Sequence, residues 1–126
     1  MNMKYYVIAA ALFLTSGAAA HELTPTYPEF TPTFLDNVSV TKMKLWNRRE
    51  DVSYYELSVY DEDWNPIPFA AVDRLIKIDY LETKSFEIYI RNSDLKKLEF
   101  ICTTSKLLKN DVESTGITSR ICSRVK

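Results

Sequence analysis

His21 is the only histidine in the 126-residue chain, and it directly follows Ala18-Ala19-Ala20, a stretch that fits the A-x-A rule for signal cleavage. Cleavage before His21 frees an α-amino group beside an imidazole, a pair of nitrogens that can chelate Cu(II). Glu22 adds a carboxylate for a weaker site, but a copper oxygenase needs a second imidazole, and the sequence has none. Copper handling through His21 is therefore the only cofactor-dependent function these residues suggest; otherwise no cofactor is expected.

A second candidate is Asp61-Glu62-Asp63-Trp64-Asn65, which begins like a calcium loop with oxygen ligands at alternate positions. The pattern then fails, because Pro66 stands where a sharp turn needs glycine and Val72 stands where a bidentate glutamate belongs. The segment reads as a solvated turn with Trp64 folded back onto a sheet. Nucleophilic catalysis finds no support either. Both Ser/His/Asp and Cys/His arrangements would depend on His21 at a chain terminus, and no glycine-rich phosphate cradle is present. The expectation is a protein that is not an enzyme. Cys102 and Cys122 fit one intramolecular disulfide in an exported protein, since no C-x-x-C or ligand cluster accompanies them.

The elements that would position these residues begin after a leader. Lys4, the apolar run Tyr5 to Leu14 and the small residues 16–20 make a signal peptide over residues 1–20, and its apolar run of about ten residues is too short to span a bilayer. The mature protein is expected to be periplasmic or extracellular without stable membrane insertion. Residues 21–35, with prolines at 25, 28 and 32, read as an extended arm that cannot form a central strand. Its Tyr27, Phe30 and Phe34 are expected to dock it on the domain.

Residues 36–126 then alternate with period two: Thr41, Met43, Leu45; Tyr55, Leu57, Val59; Ile76, Ile78, Tyr80; Phe86, Ile88, Ile90; Leu98, Phe100, Cys102; and a last strand from Ile117 to Val125. The links are polar turns too short for parallel crossovers, although Ser105 to Glu113 could hold one helical turn. Six to seven short strands in this span predict an all-β fold, a single immunoglobulin-like antiparallel β-sandwich. With only two glycines in the chain, longer loops are expected in place of tight hairpins. Strict alternation puts Cys102 on the face of Leu98 and Phe100 but Cys122 on that of Arg120 and Arg124, so a bridge between them predicts a bulge or change of face in one strand.

Sixteen basic against seventeen acidic residues, singly scattered, leave no electrostatic footprint for nucleic acid. Trp46, Tyr54, Tyr60 and Tyr89 fall on the polar side of their alternations, where partly exposed aromatics suit a protein interface or cross-strand packing within the sheet.

The runs Lys42 to Leu57, Asn65 to Phe69, Ile78 to Ile90 and Leu98 to Cys102 resemble the first immunoglobulin-like domain of periplasmic pilus chaperones. The resemblance lies in a strand ending in Asn, a polar turn, an aromatic-rich strand, a proline loop and a lysine before the next apolar strand. It implies the sandwich and a chaperoning role, though 126 residues leave no room for that family's second domain. The expected function is an exported protein-binding or structural module: chaperone-like, part of a surface or virion assembly, or an inhibitor. Its partner would be another protein, or a second copy joined through a sheet edge.

Overall fold

The computed structural model describes residues 21–106 and 118–125. The leader, and all but the first two residues of the stretch where a helical turn is expected, lie outside the described residues. Eight strands are present: β1 His21–Thr24, β2 Thr31–Pro32, β3 Val38–Asn47, β4 Tyr54–Asp61, β5 Leu75–Lys77, β6 Thr83–Arg91, β7 Leu98–Lys106 and β8 Arg120–Arg124. Among the described residues the only helical element is a 3-10 turn at Asn92–Asp94. In the first sheet β3 pairs with β6 on one side and with β1 and β2 on the other; the second sheet runs β5-β4-β7-β8. All pairings are antiparallel, giving the expected sandwich.

The alternation in β3 explains the layering. Ser39, Thr41, Met43, Leu45 and Asn47 are buried, while Lys42 and Lys44 between them are exposed. Met43, Leu45, Ile88 and Ile90 from the first sheet share one core cluster with Tyr55, Leu57, Val59 and Ile101 from the second. Two strands beyond the core six come from the proline-rich arm. His21–Thr24 and Thr31–Pro32 pair with β3, and between them Thr26 O accepts from Arg124 N at 3.1 Å while Ser123 Oγ donates to Pro25 O at 2.7 Å. Prolines confine such a segment to a sheet edge, where a missing N–H faces away from the ladder. The arm is held by its backbone, by buried Pro28 and by Phe30 against the core. Phe34 does not dock it, being 95% exposed, and Tyr27 is 58% exposed.

A bulge in β7 settles the face of each cysteine. Tyr60 opposes Phe100 but Asp61 opposes Leu98, so Glu99 is the extra residue and the alternation flips across it. Leu98 turns into the core, whereas Phe100 and Cys102 point outward. Phe100 and Cys102 share a face as alternation predicts, Leu98 lies on the other, and the bulge is the irregularity that a bridge between the two cysteines predicts. Cys102 and Cys122 pair directly across β7 and β8, and their disulfide brings the two Cα atoms to 4.0 Å.

Candidate functional site

The outward face of the second sheet gathers aromatic and guanidinium groups at one end. Trp64 stacks on Phe100 with ring centroids 4.3 Å apart and planes 2° from parallel, and Tyr60 packs tilted against Trp64 at 5.5 Å. Arg120 reaches along the sheet so that its guanidinium lies 5.2 Å from the Trp64 ring centre and 5.5 Å from that of Tyr60, within range for cation–π attraction. Arg124 sits beside Phe100 and is ion-paired with Glu99 at 2.7 Å. Among the described residues Arg120 has no carboxylate partner.

The loop before this platform is tightly specified. Asp61 accepts backbone N–H groups from Asp63 and Asn65, each at 2.9 Å, and the Asn65 N–H holds its carboxyl below the usual carboxylate range. The apparent calcium loop is therefore an Asx-type turn whose first carboxylate is spent on its own backbone. The turn fixes Trp64 at φ 65°, the left-handed region that costs a bulky residue about 1–2 kcal/mol. A large aromatic is held there while remaining 47% exposed.

Beside the platform runs the edge of β8. Val125 N donates to Glu99 O and Ser105 N to Ser119 O, so odd-numbered residues of β8 carry the ladder to β7. The backbone groups of Arg120, Cys122 and Arg124 face the other way. Arg124 N is taken by Thr26; among the described residues those of Arg120 and Cys122 are open.

At the opposite end a polar cluster closes the core. The His21 ring is buried against Tyr55 at 4.7 Å, with Nε2 bonded to Thr103 Oγ1 at 2.9 Å and Nδ1 without a partner among the described residues. Asn47 Nδ2 donates to Val52 O at 2.7 Å and Ile78 O at 2.9 Å, while its Oδ1 accepts from Tyr55 Oη and Arg49 N. Burial pushes the Tyr55 hydroxyl up to about 12 and the His21 imidazole down to about 4. The His21 imidazole, the copper ligand read from the sequence, is thus buried with Nε2 spent on Thr103. Among the described residues no three His, Cys, Asp or Glu stand close enough to hold a metal ion.

This burial predicts a pH dependence. Unfolded His21 takes up a proton near its ordinary 6.5, whereas folded His21 resists until about 4, so stability falls as pH drops through that window, by at most about 1.4 kcal/mol per unit. Urea midpoints at pH 7 and 4.5 should differ more for the native sequence than for His21→Gln. Equal differences would mean the ring is not held neutral.

No protein-family model and no curated protein matches the chain. Among solved structures, the crystal structure of the E. coli chaperone DraB aligns with a TM-score of 0.61 at 16% identity, over 83% of this chain and 52% of that one. The fold is shared with a chaperone. The chain spans about half of DraB's length, and the resemblance read from spacing holds at the level of the fold.

The aromatic residues singled out from sequence do not form one patch. Tyr54 and Tyr60 lie six residues apart on the outward face of the second sheet, whereas Trp46 and Tyr89 occupy the outward face of the first. Trp46 Nε1 donates to Leu81 O, and Arg48 lies 5.0 Å from its ring centre. Only Tyr60 joins the platform. Phe100, Arg120 and Arg124 were not singled out; the signal available was the spacing of the two arginines on either side of Cys122.

Proposed function

We propose that the protein is an exported, non-enzymatic binding module, chaperone-like in its work, that receives an extended segment of a partner protein along β8. The observation that carries this reading is the open β8 edge at Arg120 and Cys122, bordered by the Trp64–Phe100–Arg120 platform. An added strand gains main-chain hydrogen bonds from the edge, while the rings and guanidinium recognise its side chains. The fold shared with DraB supports the reading. No helix among the described residues is long and apolar enough to cross a membrane, which accords with an exported module.

Photo-crosslinking in the producing cell tests it. A photoreactive residue at position 120 should capture a defined partner, one at exposed Lys44 on the other sheet should not, and equal capture at both positions would remove β8 as the site. Trp64→Gly separates binding from folding. Glycine relieves the left-handed backbone but loses ring stacking worth about 0.5–1.5 kcal/mol and, in addition, the area that the half-buried ring covers, worth about 2–3 kcal/mol. Stability should therefore fall by no more than about 3 kcal/mol, leaving the variant folded as read by circular dichroism, while capture at position 120 is lost.

A further inference from the structure

On the side of the sandwich away from β8, the chain changes sheets between Ala70 and Lys77. Ala70 and Tyr89 exchange backbone hydrogen bonds at 3.0 and 2.9 Å, covering the outer edge of β6. The chain then leaves that edge: Arg74 O accepts from Leu57 N at 2.8 Å, and Leu75–Lys77 joins β4 as β5. Because the backbone groups of Tyr89 point away from β3, those of Glu87 and Ser85 point the same way, and no described residue takes them. A short stretch of β6 is open where the departing chain uncovers it.

A groove of about 610 Å³ fills this opening, with Phe86, Ile76, Leu75 and Val72 among its apolar walls. Val72 is 93% exposed, an unusual setting for a β-branched side chain that no described residue covers. Lys42, Lys77 and Lys84 stand around the groove, against Asp73 and Glu87. Lys84 Nζ donates to Lys77 O at 2.7 Å, and none of the three lysines is ion-paired among the described residues. The rim is therefore cationic, in a chain whose overall charge is close to zero.

We propose that this opening is a second peptide site, distinct from β8, that takes an extended acidic segment of a partner protein as an added strand on β6. Ser85 and Glu87 supply the main-chain hydrogen bonds. Alternate side chains of the added strand face opposite ways, so an apolar residue settles against Phe86, Ile76 and Val72 while carboxylates on either side reach Lys42 and Lys77. This is strand addition with a side-chain pocket, and the lysines select acidic over basic segments.

Amide NMR of the disulfide-bonded protein tests it with two capped eight-residue probes, one alternating Asp and Val, the other Lys and Val. The acidic probe should shift the amides of Ser85, Glu87 and Val72 saturably below about 1 mM, and the basic probe should bind at least tenfold more weakly. Lys42→Glu with Lys77→Glu should reverse that preference. Ser85→Pro removes one edge N–H that the β3 ladder does not use, and should abolish binding with the thermal midpoint retained. The proposal is overturned by equal binding of both probes, by shifts at Arg120 and Cys122 instead, or by no saturable shift, in which case the lysines only guard an edge against aggregation. The same amides shifting with protein concentration alone would assign the groove to a second copy and also overturn it.

Discussion

Removing the disulfide as Cys102→Ala with Cys122→Ala is expected to lower stability by about 3 kcal/mol and to free β8 from its sheet. The bridge spans 20 residues, and closing a loop of that size constrains the unfolded chain by roughly 3 kcal/mol. That is a large share of the about 5–15 kcal/mol available to a small domain, and corresponds to a fall in Tm of more than about 10 °C. The local consequence is specific. Apart from the bridge, five residues of β8 are held by the β7 ladder and by Thr26 and Pro25 of the arm. Hydrogen exchange should therefore show β8 amides losing protection ahead of β3 and β6, and photo-crosslinking at position 120 should fall with them. A stability loss below about 1 kcal/mol with β8 protection intact would contradict the loop-closure account.

The elements read from period two and polar turns are the ones local chemistry determines. β3, β4, β6 and β7 carry apolar residues on one face, and the structure pairs them over most of their length. What sequence did not disclose depends on contacts between distant segments. The face of Phe100 cannot be read from its neighbours, because the bulge at Glu99 exists only in register with Tyr60 and Asp61. Trp64 was legible as a ring folded back onto a sheet, but its partner was not, since alternation puts Phe100 on the face of Leu98, which the structure turns into the core. His21 reads as a terminal ligand in isolation. It is buried because Leu23 and Leu45, and His21 and Asn47, come into register between β1 and β3. The opening beside β6 has no sequence signature at all; it results from residues 71–75 crossing from one sheet to the other.

Asn47 is where the largest single-residue effect is expected. It is fully buried and ends β3 with four hydrogen bonds, donating to Val52 O and Ile78 O and accepting from Tyr55 Oη and Arg49 N. It therefore joins the loop after β3, the segment after β5 and the buried tyrosine of β4. Asn47→Ala strands these groups where water does not reach, and each unsatisfied polar group costs about 1–3 kcal/mol. A loss of at least about 4 kcal/mol is expected, enough to leave the variant largely unfolded at 37 °C, as read by urea denaturation or near-ultraviolet circular dichroism. Asn47→Asp keeps an acceptor for Tyr55 and Arg49 but turns a carboxylate oxygen toward two carbonyls, so it should be no better than alanine at neutral pH. The tyrosine gives an internal control. With Asn47 absent, its hydroxyl has lost its acceptor, so adding Tyr55→Phe to Asn47→Ala should cost less than Tyr55→Phe costs alone, a coupling of about 1–2 kcal/mol. Strict additivity of the two substitutions would mean that the hydroxyl finds another partner and that Asn47 acts on its loops alone.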